Sequence, residues 1–286
     1  MTRILLTGIN GQVGWELQRT LQPLGDVIAL DRSQLDLANP DALRAVVRDI
    51  KPKLIVNPAA YTAVDKAETE ADLAMAINGT APGILAEEAR TLDALLVHYS
   101  TDYVFAGDGD FPYTEASPVA PRNSYGRSKL AGEQAIQSTA CRHLIFRTSW
   151  VYGLRGANFL RTMLRLGAER DALKIVGDQI GAPTWSRMIA EATSCAIARQ
   201  QGQQGLYHLT AGGAASWYDF ACAIFDLAHQ RGMLARKPEV SRINSVDYPT
   251  PAERPKNSRL TCNKLREDFG LSIPTWDEQL NLCLTT

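Results

Sequence analysis

A tyrosine and a lysine four residues apart, Tyr125 and Lys129, have the residue types and the spacing of a proton-transfer pair. On a helix, residues four apart lie on the same face, with Cβ atoms about 5–6 Å apart. A cation beside a phenol favours the tyrosinate and lowers a pKa that is ordinarily about 10. The spacing therefore predicts that Lys129 lowers the pKa of Tyr125, so that the phenol exchanges a proton near neutral pH.

Three glycines near the start of the chain form a second pattern, and its chemistry is phosphate binding. Gly8, Gly11 and Gly14 follow an apolar run and precede an amphipathic segment, which predicts a strand, a tight turn and a helix. This spacing lets the turn approach a pyrophosphate closely, and the free N–H groups at the helix start face the anion. The predicted cofactor contacts in this turn are Gly8, Asn10, Gly11, Gln12, Val13 and Gly14.

Asp31 is the candidate for binding the adenosine ribose. It ends a predicted strand over residues 27–31 and lies twenty residues after Gly11, where a dinucleotide fold places this carboxylate. Asp31 favours NAD, whereas the adjacent Arg32 could pair with a 2′-phosphate, so NADP stays open. The sequence therefore predicts a site for NADH or NADPH.

Composition bounds the function classes. The 286 residues are 45% hydrophobic and 21% charged, which is enough for one large domain or two interleaved ones. A net charge of −1 with no basic run gives no electrostatic argument for nucleic acid or an anionic membrane. The five cysteines show neither C-x-x-C spacing nor a pairing with histidine that suggests zinc. No segment has the length of a spanning helix, and we expect a cytosolic protein.

The elements that must position these residues alternate between strand and helix along the first half of the chain. Strands are predicted at residues 54–57, 94–100 and 143–147, and helices at residues 39–49 and 70–92. Repeated β-α units of this length predict an α/β fold with a Rossmann-type, doubly wound parallel sheet that binds ligands at the carboxyl ends of its strands.

The pattern becomes irregular after about residue 150. Residues 181–184 and 249–255 are predicted loops, residues 186–199 and 216–231 are predicted helices, and residues 205–209 form a predicted short strand. We therefore expect a dinucleotide-binding domain over residues 1–150. A smaller C-terminal α/β substrate domain over residues 151–286 would be interleaved with it.

Five strings along the chain carry a resemblance to a known family. They are VGWEL at residues 13–17, AVDKAE at 63–68, YSTDYVF at 99–105, RTSWVY at 147–152 and NSRL at 257–260. With the glycine turn and the Tyr125/Lys129 pair, they resemble the dTDP-4-dehydrorhamnose reductases, in the extended branch of the short-chain dehydrogenase/reductase superfamily. The resemblance implies reduction of the C4 ketone of dTDP-6-deoxy-L-lyxo-4-hexulose to dTDP-L-rhamnose.

The residues fit this chemistry. Hydride addition to a ketone leaves an alkoxide, so a proton donor and charge stabilisation are needed at the oxygen. The resemblance implies that Tyr125 donates the proton, that Lys129 tunes the phenol and holds the nicotinamide ribose, and that the Thr101 hydroxyl bonds the substrate oxygen. Further cofactor contacts implied by the resemblance are Asp36, Leu37, Ala60, Tyr61 and Thr62.

The resemblance also implies contacts to the nucleotide sugar. Asp102 and Trp150 would contact the sugar, since an aromatic ring at a strand end can bound a hexose. Arg254 and Arg259 are candidates for the diphosphate, because a guanidinium makes bidentate bonds. The predicted partner is thus a small molecule, a dTDP-sugar.

Residue 103 separates related chemistries. Related nucleotide-sugar dehydratases carry Thr-Asp-Glu at this strand end, whereas this chain has Thr101, Asp102 and Tyr103. Without the glutamate, reduction is favoured over dehydration. A 4-epimerase needs the same Tyr and Lys and stays open, as does a regulatory subunit that binds the cofactor without turnover.

Metal dependence and assembly are not decided by the sequence. Glu16 lies close to the glycine turn, but one carboxylate does not define a Mg²⁺ site, and no metal ligands are predicted. A homodimer stays open in the same way.

Overall fold

The computed structural model describes residues 2–285 and centres on a six-stranded parallel sheet. The strands are β1 (Arg3–Leu6), β2 (Asp26–Ala29), β3 (Leu54–Asn57), β4 (Leu95–Thr101), β5 (His143–Thr148), β6 (Val151–Tyr152), β7 (Ala172–Val176), β8 (Ile180–Gly181), β9 (Thr184–Trp185), β10 (Gly205–His208), β11 (Ala215–Ser216) and β12 (Glu239–Ile243). The large sheet has the order β10-β5-β4-β3-β1-β2, and all its pairs are parallel. The predicted Rossmann-type α/β fold is confirmed.

Helices connect these strands. They are α1 (Gln12–Thr20), α2 (Pro40–Ile50), α3 (Ala71–Met75), α4 (Ala81–Thr91), α5 (Ser124–Ser138), α6 (Phe159–Glu169), α7 (Ser186–Arg199), α8 (Trp217–Gln230), α9 (Asn263–Phe269) and α10 (Trp276–Thr285). The chain runs outward in opposite directions from β1, first to β2 and later to β3. A crevice at the carboxyl ends of β1 and β3 follows from this reversal.

The sheet is covered on both faces because successive side chains of each strand point to opposite sides. On one face, Ile4 and Leu6 of β1 pack with α1, α7 and α9. On the other face, Leu5 packs with α2, α4 and α5. These strands are therefore buried runs of apolar residues, and polar groups within them stand out.

A separate apolar cluster lies in the C-terminal part of the chain. It joins α6, β7, α8 and α10 through residues such as Leu160, Leu173, Phe220 and Leu280. Strand β10, although it lies beyond residue 150, pairs with β5 in the large sheet. The sheet thus draws on both parts of the sequence, and the division at residue 150 stays a prediction.

The helical region predicted over residues 70–92 is confirmed, and the structure divides it into successive helical segments. Helices α3 and α4 are separated by a π-helical turn, Ala76–Thr80. Pro82 lies in the first turn of α4, and proline has no N–H to continue the hydrogen-bond ladder of a preceding helix. Residues 181–184, predicted as loop, contribute instead to the short strands β8 and β9. Among residues 2–285, no helix combines the length and the apolar character needed to cross a membrane.

Candidate active site

A groove of about 650 Å³ follows the carboxyl ends of the central strands. Every residue predicted to contact the cofactor lines it: Gly8, Asn10, Gly11, Gln12, Val13, Gly14, Asp31, Arg32, Asp36, Leu37, Ala60, Tyr61, Thr62, Tyr125 and Lys129. The groove is also lined by residues that the sequence did not indicate, among them Ser100, Thr148, Val151, Gly156 and Ala157. The predicted residues thus form one continuous surface, and their individual roles stay predictions.

The glycine turn has the geometry of a phosphate cradle. Gly8 has a φ of +60°, and a Cβ built there would lie 2.8 Å from Ala59. A Cβ on Gly14 would lie 2.2 Å from the carbonyl oxygen of Gly8, which also accepts a hydrogen bond from the N–H of Gly11 at 2.9 Å. Helix α1 begins directly after this turn without a side-chain cap, so its first N–H groups are left for a ligand. The residues present therefore fit a dinucleotide pyrophosphate.

The acidic group at the end of β2 is held in place by its neighbours. Asp31 Oδ1 accepts hydrogen bonds from the Ser33 hydroxyl at 2.6 Å and the Ser33 N–H at 2.9 Å, and Oδ2 accepts one from Asn10 at 3.4 Å. The bond from the Ser33 hydroxyl is the largest cause of a lowered pKa at Asp31. The Arg32 side chain is 73% exposed and lies 3.8 Å from Asp36. A ribose acceptor and an exposed cation thus lie side by side at this end of the groove.

Helix α5 carries Tyr125 to the end of β4. The side chain of Asn123 accepts a hydrogen bond from the N–H of Gly126 at 2.8 Å and caps the helix. A Cβ on Gly126 would lie 2.3 Å from the carbonyl oxygen of Tyr103, so only glycine permits this close approach. As a result Tyr125 hydrogen-bonds with Thr101, the last residue of β4.

The predicted effect of Lys129 on Tyr125 is wrong in this structure. The pKa of Tyr125 is raised, because burial disfavours the phenolate and the neighbouring Asp102 adds to the effect, while the bond with Thr101 acts in the opposite direction. Lys129 is 2% exposed and donates to the carbonyl oxygen of Tyr99 at 2.6 Å. Burial lowers the pKa of Lys129 to about 8. Burial therefore determines the direction of the pKa shift at Tyr125.

Asp102 is a buried carboxyl group beside Thr101. Thr101 donates its hydroxyl proton to Asp102 Oδ1 at 2.9 Å, and Asp102 is 3% exposed. Burial raises the pKa of Asp102 to about 6, against a lowering effect of its hydrogen bonds. The Ser258 hydroxyl is the largest of these lowering causes, ahead of the Thr101 hydroxyl, so the carboxyl group has two hydroxyl neighbours.

Tyr103 connects the end of β4 to the C-terminal part of the chain. Its ring meets Tyr125 edge-to-face at 5.5 Å, and Arg254 donates to its hydroxyl at 3.4 Å. Arg254 also forms an ion pair with Asp65 at 2.6 Å. The structure therefore brings Arg254 close to Tyr125, although the two lie far apart in the sequence.

Trp150 and Arg259, also predicted to contact the substrate, each contact residues of this chain. Trp150 has a φ of +48° and stacks on Trp217 at 3.5 Å. Arg259 donates to the Asp110 carbonyl at 2.6 Å and to the Asn257 side chain at 2.8 Å. Both Arg254 and Arg259 stay candidates for the diphosphate. We call Asp65, Tyr103, Arg254 and the Trp150/Trp217 stack the substrate side.

Several polar residues at the site were not singled out from the sequence. His98 lies within hydrogen-bond distance of Lys129, and the Ser100 and Thr148 hydroxyls that face the groove have no partner within the described residues. Polar side chains in a buried strand are the signal that could have found them, because burial without a partner is costly. In residues 2–285, no three His, Cys, Asp or Glu side chains converge on a point that could hold a metal ion.

Comparison with known proteins gives consistent matches. The family model described as the RmlD substrate binding domain matches residues 1–286. The chain is 48% identical over 293 residues to a dTDP-4-dehydrorhamnose reductase of Burkholderia thailandensis, covering 99% of this chain and 98% of that protein. It is 47% identical over 294 residues to the Escherichia coli K12 enzyme of the same name, covering 99% and 98%. A crystal structure of dTDP-4-dehydrorhamnose reductase from Bacillus anthracis in complex with NADP superposes with a TM-score of 0.93 at 39% identity, covering 100% of this chain and 99% of that one.

Proposed function

The chain belongs to the family of the RmlD substrate binding domain, and on that premise we propose that it reduces dTDP-4-dehydrorhamnose. The reaction converts the C4 ketone of dTDP-6-deoxy-L-lyxo-4-hexulose to the alcohol of dTDP-L-rhamnose. The observation that carries the proposal is full-length identity of 47–48% to proteins of that activity, combined with Thr101, Tyr125 and Lys129 at the end of one groove.

The cofactor of the proposed reaction is NADPH or NADH. A relative of the same fold holds NADP, and here the glycine turn, the uncapped start of α1 and Asp31 would hold the pyrophosphate and the ribose. When bound, the dinucleotide supplies the hydride that reaches C4. Arg32, exposed and 3.8 Å from Asp36, suits a 2′-phosphate, whereas Asp31 suits an unmodified ribose, so both forms are accommodated.

The chain supplies the proton that completes the reduction. Because burial raises the pKa of Tyr125, its phenol is protonated at neutral pH and is suited to donate to the ketone oxygen as the C4 carbon gains the hydride. Lys129 presents a buried positive charge on the same helix face, and this charge stabilises the negative charge that develops in the site.

Thr101 links the phenol to the carboxyl group of Asp102. Its hydroxyl has one proton, which it donates to Asp102 in the structure. After Tyr125 releases its own proton, the Thr101 hydroxyl can turn and donate to the phenolate. Asp102, with a pKa raised to about 6, tolerates the loss of that bond because it can bind a proton itself.

The proposed sugar and diphosphate contacts come from the substrate side. Arg254 lies against Tyr103, whose ring contacts Tyr125. We assign it to the diphosphate, with Asp65 fixing its guanidinium at 2.6 Å. Trp150, whose ring stacks on Trp217 and lies against Gly181, is assigned to the sugar.

Absorbance of the reduced cofactor, followed with dTDP-4-dehydrorhamnose, tests the reductase. We expect oxidation of NADPH or NADH in equal amount to the dTDP-L-rhamnose formed, and none with a saturated nucleotide sugar. Failure to oxidise either cofactor would remove the assignment. A changed C4 configuration without net oxidation would instead indicate a 4-epimerase, and tight cofactor binding without any product would indicate a regulatory subunit.

The oligomeric state and the cellular location of the protein stay predictions. A homodimer and a cytosolic location are both compatible with the proposed activity on a small, soluble nucleotide sugar. Sedimentation of the purified protein measures the first, and fractionation of cells measures the second.

A further inference from the structure

A row of buried polar side chains crosses the sheet beneath the groove. The Thr7 hydroxyl at the end of β1 lies 2.6 Å from the Asn57 side chain of β3, and Asn57 lies 3.2 Å from Nδ1 of His98 in β4. Nε2 of His98 lies 3.4 Å from Nζ of Lys129. Each of these four residues is no more than 2% exposed. The row thus connects the glycine turn to the lysine of the candidate active site.

The contact between Lys129 and His98 has one consistent proton arrangement. A lysine ammonium has three donors and no acceptor, so Nε2 of His98 must accept. The imidazole is then neutral and carries its proton on Nδ1. This arrangement needs the Asn57 amide turned so that its oxygen accepts from Nδ1 and its NH2 group donates to the Thr7 hydroxyl, the reverse of the orientation in which Thr7 donates to Oδ1 and the amide nitrogen faces Nδ1.

We propose that His98 is a positioning residue for the proposed reduction, because its neutral imidazole accepts a hydrogen bond from Lys129 and fixes the ammonium in the groove. The inference rests on the proposed function. Lys129 makes its other short contact with a backbone carbonyl, that of Tyr99 at 2.6 Å. His98 is therefore the one uncharged side chain within hydrogen-bond distance of the Lys129 ammonium in the part of the chain that the structure describes.

A purely structural role explains the residue less well. The same strand face carries Leu96, and an apolar side chain at position 98 would avoid the cost of burying an imidazole. Burial and the charge of Lys129 lower the pKa of His98 well below its ordinary value, which keeps the ring neutral and able to accept. His208 of β10 is a useful contrast, since it is also fully buried and bonds the Thr261 carbonyl at 3.1 Å. It has no contact with Lys129.

The charged and titratable groups around Lys129 determine how its pKa changes when His98 is replaced. From β4 it faces His98, and from its own helix it faces Tyr125 and Glu133, whose charge favours the ammonium. From β5, Arg147 pairs with Glu133 at 2.6 Å. Replacement of His98 by a residue without an acceptor leaves these groups in place and removes one bond to the ammonium. The pKa of Lys129, already lowered to about 8 by burial, should therefore fall further.

Three variants separate positioning from packing. His98→Leu removes the acceptor, His98→Gln retains an amide oxygen at a similar reach, and His208→Leu makes the same change at the other buried histidine. We expect kcat to fall at least tenfold in His98→Leu with little change in KM for the ketone. We also expect His98→Gln to recover most of the loss and His208→Leu to stay near wild type, each rate being corrected for the folded fraction.

A second readout needs no turnover. In protein labelled with ¹³C at lysine Cε, the signal that disappears in Lys129→Met reports the titration of Lys129 without cofactor. We expect its midpoint to move to lower pH in His98→Leu and to return toward wild type in His98→Gln. The alkaline limb of kcat should move in the same direction, because the ammonium form is lost earlier as the pH rises.

Failure of the positioning role of His98 can be distinguished from failure of the proposed function. If the wild-type protein does not reduce the ketone, the function fails while the titration still tests the contact. If the wild type is active and His98→Leu falls no more than His208→Leu, the positioning role is overturned. An unchanged midpoint for Lys129 in His98→Leu would overturn it as well.

Discussion

The cofactor groove and the substrate side of the candidate active site differ in how far apart in the sequence their contacting residues lie. The glycine turn closes on itself within seven residues, from Gly8 to Gly14, through contacts to the Gly8 carbonyl. On the substrate side, Arg254 bonds Asp65 across a separation of 189 residues and Tyr103 across 151. A local motif can therefore be recognised in the sequence, whereas a contact of this range depends on the completed fold.

Tyr125 lies between the cofactor groove and the substrate side, and its replacement should have the largest effect on kcat. Tyr125→Phe removes the proposed proton donor but keeps the ring against Tyr103. We expect kcat to fall about 10²–10⁴-fold, the range for loss of a general acid, with cofactor affinity nearly unchanged. Stopped-flow kinetics and a fluorescence titration with NADPH measure the two quantities.

A matched control is available in strand β10 of the large sheet. Tyr207→Phe also removes a buried tyrosine hydroxyl, which bonds Asp268 at 2.8 Å outside the groove. Tyr207→Phe should leave kcat within a factor of about two of wild type, because the surroundings of the reacting atoms are unchanged. A Tyr125→Phe variant that keeps a tenth of the wild-type kcat would rule out the phenol as proton donor.

Asp102 at the same junction should make stability depend on pH. Its pKa is raised in the folded protein from 3.8 to about 6, so the native state binds this proton more tightly than the unfolded chain. The contribution is fully present below the unfolded pKa and is lost as the pH rises through about 6. The full span, about two pKa units, is about 3 kcal/mol.

Asp102→Asn removes this titration while it retains the shape of the side chain. We expect the free energy of unfolding of the variant, relative to wild type, to rise between pH 4.5 and 7.5. Urea unfolding at several pH values measures this difference. A difference that is constant over the range would show that Asp102 does not bind a proton there.

The same comparison explains how much of the site could be predicted from the sequence. Strand β3 and helix α7 were predicted with the bounds that the structure has, and the groove residues around Gly8 and Asp31 do lie together. These depend on neighbouring residues and on the order of β-α units. The raised pKa of Tyr125 could not be predicted, because burial of the phenol is set by the packing of α5 against β4. The contact of Arg254 with Tyr103 was missed because nothing near Arg254 indicates its partner.

Gly14→Ala tests whether the groove is as locally determined as the comparison implies. The added methyl would lie 2.2 Å from the Gly8 carbonyl oxygen, so the turn must shift. We expect a loss of about 1–3 kcal/mol in stability, the usual effect of overpacking, and weaker NADPH binding with KM for the ketone less affected. Chemical denaturation and cofactor titration measure these effects.

Gly212→Ala is the control for that experiment. Its new methyl would lie 3.4 Å from the nearest atom, which is an ordinary contact. It should leave cofactor affinity unchanged. Equal weakening of NADPH binding in both variants would mean that the turn has no special part in holding the cofactor.

Arg254→Met tests the long-range side of the comparison and should have the smallest effect. The ion pair with Asp65 is partly exposed, at 20% for Arg254 and 42% for Asp65, so its own contribution to stability is at most about 1 kcal/mol. The variant should instead bind the substrate more weakly, because it lacks a guanidinium for the diphosphate. We expect an increase of about tenfold in KM for the ketone. NADPH affinity should stay the same, in contrast to Gly14→Ala. Asp65→Asn in the wild type and in Arg254→Met completes a double-mutant cycle. If Asp65 acts by orienting Arg254, its replacement raises KM only when Arg254 is present, and additive effects would show that the two residues act separately.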